Sequence, residues 1–197
     1  MCKMCTPINI NGKLHKTVRI GNQIWMAENL ACEVPDSKYY DNNPTKYQKY
    51  GRLYNWKTAK ELCPIGWDLP SDTEWDILLR FVDGTRGVER HYSSETAGKC
   101  LKAKYGWNEY KGISGNGEDT YKFAALPGGK SDRNGNFCDI GNYGYWWSAS
   151  TYIGNNAYYR RMLFDGDAAS CGYIDKSYLY SVRYVKNQLS EPRLDRI

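Results

Sequence analysis

Leu69-Pro70-Ser71-Asp72-Thr73-Glu74-Trp75 is the strongest structural signal in the chain. Ser71 followed three residues later by Glu74 is a capping box, in which each side chain satisfies a backbone amide at the helix start. Trp75, Leu78, Leu79 and Val82 then recur on one face, so the spacing predicts a helix ending near Gly84. Upstream, residues 52–62 carry apolar side chains at helical spacing and run into Pro64 and Gly66, which predicts a first helix. Earlier still, residues 16–20 and 23–26 alternate around Gly21-Asn22, the pattern of a short hairpin. Beyond Ala97 the chain is rich in Gly, Asn and aromatics, with strand-like pieces at 123–126, 145–148, 158–163 and 179–185. Long loops separate these pieces, and ordered loops on a rigid scaffold are where binding sites tend to lie.

Segment 131–174 stands apart in composition, being dense in Tyr, Asn, Gly, Asp and Ser. Lys, Glu, Gln, Met and Trp make up 39 of the 197 residues, so about nine are expected in 44 positions. Three occur, namely Trp146, Trp147 and Met162. A codon whose third base is C encodes none of these five types, whereas it encodes every other type the segment uses. The composition therefore matches codons scrambled at adenines. It is also that of a binding surface, because Tyr gives large contact area with few rotors while Ser, Gly and Asn adapt their hydrogen bonds.

An apolar content of 41% over 197 residues supports one substantial core, and no linker or low-complexity run divides it, so 1–197 reads as a single domain. No apolar run approaches the ~20 residues of a membrane span, so the chain is not expected to be membrane-embedded. The first seven residues lack the apolar stretch of a signal peptide, which predicts either a trimmed chain or a protein not exported by that route. The net charge of +5 is spread along the sequence without a block of like charges, which predicts a solvated surface and no nucleic-acid partner. Seven cysteines leave at least one unpaired. Only Cys2 and Cys5 lie close together, and His15 and His91 stand alone, so no zinc ligand set is present.

Six ordered motifs carry a family resemblance: residues 17–30, beginning Thr17-Val18-Arg19-Ile20-Gly21-Asn22; Tyr50-Gly51-Arg52-Leu53-Tyr54-Asn55-Trp56; residues 63–75; Phe123-Ala124-Ala125-Leu126-Pro127-Gly128-Gly129; Tyr145-Trp146-Trp147-Ser148-Ala149; and Ser181-Val182-Arg183. From about residue 11 to 187 the chain resembles the Fibrobacter succinogenes major paralogous domain. The helix start and closing strand also resemble the wider C-type lectin fold, including its formylglycine-generating branch. The resemblance implies an α+β, C-type-lectin-like domain: two helices around a small twisted antiparallel sheet, with long irregular loops. It further implies a surface ligand-binding module, some members being variable proteins of diversity-generating retroelements. Related members often carry Cys where Tyr39, Tyr47 and Tyr184 stand here. Loss of those cysteines points to folding in a reducing compartment. It favours a phage tail or virion component over a bacterial lipoprotein, with the bacterial cell surface as the other location.

Within 131–174, alignment to the family leaves a scaffold of Tyr145, Trp146, Trp147, Ser148, Ala149, Ala157, Tyr158, Arg160, Met162 and Ser177, whose apolar members are expected in the core. The expected ligand contacts are Tyr152, Asn155, Asn156, Tyr159, Arg161, Leu163, Phe164, Asp165, Asp167, Ser170, Tyr173 and Ile174. Asp132, Asn134, Asn136 and Tyr143 form an outer ring. Taken singly, each Tyr reads as a strand aromatic and each Asn as a turn residue. As a cluster they read as aromatic anchors flanked by polar groups, facing a cell-surface protein or glycan. Tyr159, Phe164 and Tyr173 are expected to support binding more than stability.

Metal binding, enzymatic chemistry and fixed glycan recognition compete with this reading. Calcium needs six or more oxygens, and Trp107-Asn108-Glu109 lacks the partner motif of a calcium lectin. Asn116-Gly117-Glu118-Asp119 and Asp165-Gly166-Asp167 read as turns, so no metal and no cofactor are expected. An enzyme of the formylglycine-generating type needs activated thiolates, and only Cys138 and Cys171 lie in the C-terminal half. The expectation is a non-catalytic module, with a fixed-specificity glycan-binding lectin as the alternative.

Overall fold

The computed structural model describes residues 3–87 and 90–186. In chain order the elements are β1 Lys3–Ile10, β2 Lys13–Ile20, β3 Gln23–Met26, α1 Pro44–Tyr47, α2 Trp56–Glu61, β4 Trp67–Asp68, α3 Asp72–Asp83 and α4 Ala97–Leu101. There follow β5 Glu109–Tyr110, β6 Ile113–Ser114, β7 Lys130–Ser131, β8 Phe137–Cys138, β9 Tyr143–Thr151, β10 Asn156–Leu163, β11 Ala169–Asp175 and β12 Val185–Lys186. The strands form a five-stranded sheet in the order β1-β2-β3-β12-β4, a three-stranded sheet β11-β10-β9, and the two-stranded pairs β5-β6 and β7-β8.

This corrects the expected α+β arrangement of two helices around one sheet. Strand dominates, at 36% against 18% helix, and it is divided among several small antiparallel sheets. Of the helices only α3 is long. Its capping box is formed, with Ser71 Oγ accepting from Glu74 N at 3.2 Å and Glu74 Oε2 accepting from Ser71 N at 2.7 Å, and Gly84 closes it at φ 66. The expected helix over 52–62 shrinks to α2, because Leu53 and Tyr54 are drawn into bridges with Lys38 and Tyr180. Asn55 then caps the remainder, its side chain accepting from Thr58 N at 2.8 Å.

The β2-β3 hairpin forms in the expected register, Thr17 opposite Met26 and Ile20 opposite Gln23, with Gly21 at φ 57 in the turn. The expected strand at 123–126 reduces to one parallel bridge, Lys102 with Ala125. Ala124 sits at φ 50, and the carbonyls of Phe123 and Ala124 accept from Arg183 instead of from a neighbouring strand. Segment 179–185 likewise supplies bridges at Leu179, Tyr180 and Ser181 before β12 closes the large sheet against β3 and β4.

Two large apolar clusters, and a small one at Tyr50, Ala103 and Leu126, build the core. One centres on Trp25, Trp75, Phe123 and Trp146, with the Trp25 and Trp75 rings 4.8 Å apart. The other centres on Tyr54, Trp147, Tyr180 and Tyr184. Tyr184 is buried, its hydroxyl donating to Ala59 O at 2.8 Å, so aromatic packing occupies this position beside α2. Tyr47 packs against Tyr40 at 5.0 Å, while Tyr39 lies under the Arg52 guanidinium at 4.4 Å. The six described cysteines are unpaired; Cys2 lies outside the described residues.

Candidate functional site: the three-stranded sheet and its turns

Segment 131–174 contributes both inner and outer surfaces of the β11-β10-β9 sheet. Strand geometry sends alternate side chains to opposite faces. Tyr158, Arg160 and Met162 face α3 and the first core cluster; Tyr159, Arg161 and Leu163 face the other way. Opposite them stand Tyr173, Cys171 and Ala169 on one face, and Gly172 and Ser170 on the other. Trp146, Trp147 and Ala157 are fully buried, and Arg160 and Met162 nearly so at 1% exposure. By contrast, all sixteen residues expected to contact a ligand are half-buried or exposed. Ala149, Tyr158 and Ser177, expected as scaffold, are also half-buried or exposed.

The sixteen do not form one patch. The β9-β10 and β10-β11 turns lie at opposite ends of an eight-residue strand, about 25 Å apart at the rise of an extended chain. At the first turn, Tyr152 stacks on Tyr173 at 3.9 Å and meets Tyr158 edge-on at 5.5 Å; Asn155 and Asn156 form the tip. Tyr158 stacks in turn on His91 at 4.3 Å. Tyr173 is the most open of these aromatics, at 52% exposure.

Beside this cluster lies a cavity of about 370 Å³ lined by Asp72, Asp76, Arg90, His91, Thr151 and Tyr158, among others. Arg160 holds its floor, donating to Asp72 Oδ1 at 2.5 Å, Asp76 Oδ1 at 2.7 Å and Tyr92 O at 2.5 Å. Burial pushes the Asp76 carboxyl up, against the opposing pull of Arg160. His91 Nδ1 bonds to Asp72 Oδ2. In the sequence His91 stands alone, with nothing nearby to announce this network. The available signal was Asp72 and Asp76, four apart on the predicted helix and therefore on one face.

At the second turn, Phe164 meets Tyr110 of β5 edge-on at 5.7 Å. Phe164, Asp165 and Asp167 line a cavity of about 180 Å³ with Tyr110, Ile113 and Lys102. Lys102 is buried, and its Nζ donates to Leu163 O at 3.0 Å and Gly166 O at 2.8 Å. Burial lowers its pKa, while Asp167 and Asp165 act against that shift. Other contacts also read this turn through its main chain. Phe164 N donates to Asn142 O at 2.8 Å, and Lys99 N donates to Asp167 O at 3.3 Å. A Cβ at Gly98 would stand 2.5 Å from Ala168 O, and one at Gly115 2.5 Å from Phe164 O, so neighbouring backbones press directly on the turn. None of these contacts depends on which side chains stand at 164–167.

The remaining residues fall elsewhere. On that other sheet face, Arg161 Nε donates to Ser170 Oγ at 3.0 Å beside the paired Leu163 and Tyr143, while Ile174 lies opposite Ala157 and, like Tyr143, packs in part against the second core cluster. Tyr159 packs against Tyr145 and Tyr180 at 5.8 and 5.1 Å and lies over Gly172, so it supports the fold as well as the surface. Asp132, Asn134 and Asn136 occupy the β7-β8 loop. There Asp132 accepts from Asn134 N, Asn136 N and Asn136 Nδ2 at 2.8–2.9 Å, and the Asn136 side chain foremost holds its carboxyl below the usual range. Turn chemistry accounts for that trio.

The sequence motifs meet at a different place. Asn29 Oδ1 accepts from Trp146 Nε1 and from Arg183 Nε, both at 2.9 Å, while Asn29 Nδ2 donates to Tyr50 O at 2.9 Å. Arg183 reaches on to the carbonyls of Phe123 and Ala124. Five of the six motifs are thus tied to one buried polar node. The sequence profile of the Fibrobacter succinogenes major domain matches residues 18–186. The chain belongs to this family. No curated protein and no solved structure matches it. For a Fibrobacter succinogenes major domain, the node explains why the recognisable motifs surround the core, since burial lowers the pKa of Arg183 to about 9 and makes its four acceptors indispensable. The motifs specify the frame, and the sheet described above lies largely outside them.

Among the described residues, no group of three or more His, Cys, Asp or Glu side chains is arranged to hold a metal. Burial pushes the Cys138 thiol up, opposite to thiolate activation. Cys171 Sγ lies 3.4 Å from His91 O. No helix of the described residues is long and apolar enough to cross a membrane.

Proposed function

We propose that this domain is a non-catalytic display module that binds a cell-surface protein or glycan through side chains of 131–174. In this reading it is the variable protein of a diversity-generating retroelement, carried on a phage tail or a bacterial surface. One observation carries it: the codon-restricted segment is also the segment in which every expected contact is solvent-accessible, interleaved with buried scaffold residues. The main-chain grip on 163–169 adds support, because a turn held through its carbonyls keeps its shape while its side chains change. Binding then rests on accessible aromatics such as the half-buried Tyr152 and the exposed Tyr173 at one end of the sheet, with Asp165, Asp167 and Arg161 offering polar contacts towards the other.

A fixed-specificity glycan-binding module is the second reading. It is favoured by the cavity at Asp72, Asp76 and His91, whose walls come largely from outside 131–174. Sequencing the locus from sister isolates separates the two. Differences concentrated at adenine-derived codons of 131–174, together with a nearby reverse transcriptase and a near-copy of the segment, are expected. An even scatter of differences along the gene sinks the retroelement reading.

A further inference from the structure

We propose a second binding site, on the five-stranded sheet and built from residues outside 131–174, for an acidic glycan. Pairing sets Lys3 directly opposite Arg19, Arg19 opposite Ile24, and Lys186 opposite Trp67, which draws side chains from five strands towards one groove. Lys3, Arg19, Lys186, Trp67, Met4 and Ile24 contribute to a cavity of about 390 Å³, and among the described residues no acidic one lines it. The three cations are exposed and Trp67 is half-buried. Among the described residues none of the three cationic side chains makes an ion pair or a side-chain hydrogen bond.

That arrangement costs stability, since like charges directly opposite on paired strands repel. Lysine on a sheet edge deters edge-to-edge aggregation and would explain Lys3 on β1. It does not explain Arg19 or Lys186, because β2 and β12 are interior strands in the order β1-β2-β3-β12-β4. At about 4.8 Å per strand, Lys3 and Arg19 are adjacent and Lys186 stands roughly 10 Å beyond Arg19. The spacing suits successive anionic groups along a short chain. The indole of Trp67, with Ile24, offers the apolar surface on which the C–H faces of sugar rings stack. Three charges form too short a track for nucleic acid, which is held by many phosphate contacts. A concave groove is also the wrong shape for a bilayer, which takes a protruding apolar face.

Calorimetric titration of the whole domain with trigalacturonate, a sulfated trisaccharide and neutral maltotriose tests the site. One or both acidic sugars are expected to bind, the two arms distinguishing carboxylate from sulfate, while maltotriose does not. Arg19→Gln and Lys186→Gln, both at exposed positions, should each weaken binding about tenfold, equivalent to ~1.4 kcal/mol, without lowering the melting temperature, and Arg19→Gln should raise it slightly by relieving the repulsion from Lys3. Tyr173→Ala should leave it unchanged, which separates this site from the display surface. The proposal is overturned if neither acidic sugar binds, if both charge-removing variants bind as the parent does, or if a single-stranded oligonucleotide binds more tightly than either sugar.

Discussion

The two larger sheets of this domain spend their side chains differently. In the five-stranded sheet, β2 and β3 are covered by core clusters, with Val18, Trp25 and Met26 fully buried. In the β11-β10-β9 sheet, burial takes in most of β9, Ala157, Arg160 and Met162 of β10, and Ala169 alone of β11. Burial thus falls from β9 at one edge of the sheet, through the central β10, to β11 at the other edge, and tolerance to change rises in the same direction. The same segment therefore combines positions that the fold requires with positions that it leaves free.

The largest break in this contrast should come from an inner residue. Arg160→Met leaves Asp72 and Asp76 buried without their cation, and is expected to cost about 3–5 kcal/mol in chemical denaturation. Lys102→Met, which keeps the aliphatic stem and removes two bonds to turn carbonyls, should cost less, about 1–3 kcal/mol. Its specific mark is faster amide exchange at 164–168, and unchanged exchange there would show that the turn is held by other contacts. Tyr173→Ala should shift stability by no more than ~0.5 kcal/mol, because half the side chain is already in solvent. A Tyr173→Ala variant as unstable as Arg160→Met would place Tyr173 in the core.

Local chemistry made part of this legible beforehand. The capping box at Ser71 and Glu74 and the Gly21-Asn22 hairpin depend on neighbours in sequence, and both formed where expected. The balance of strand to helix did not emerge, because the Tyr54 bridge to Tyr180 shortens a helical pattern from 126 residues away. Resemblance to the family separated Arg160 and Met162 from Tyr159 and Arg161, yet it gave no warning that Tyr159 would lie across Gly172. Nor could spacing reveal that His91 bonds to Asp72 or that Lys102 reaches the carbonyls of a distant turn. Those contacts are set by tertiary packing, which periodicity does not encode.

The most direct test of the central claim is a scan of every single substitution across 131–174, selected for folded protein alone. The account predicts broad tolerance at Tyr152, Asn155, Asp165, Asp167 and Tyr173, and strict retention at Trp146, Trp147, Arg160 and Met162. Equal intolerance at both sets would contradict it, since the segment would then be core throughout and unable to serve as an exchangeable surface.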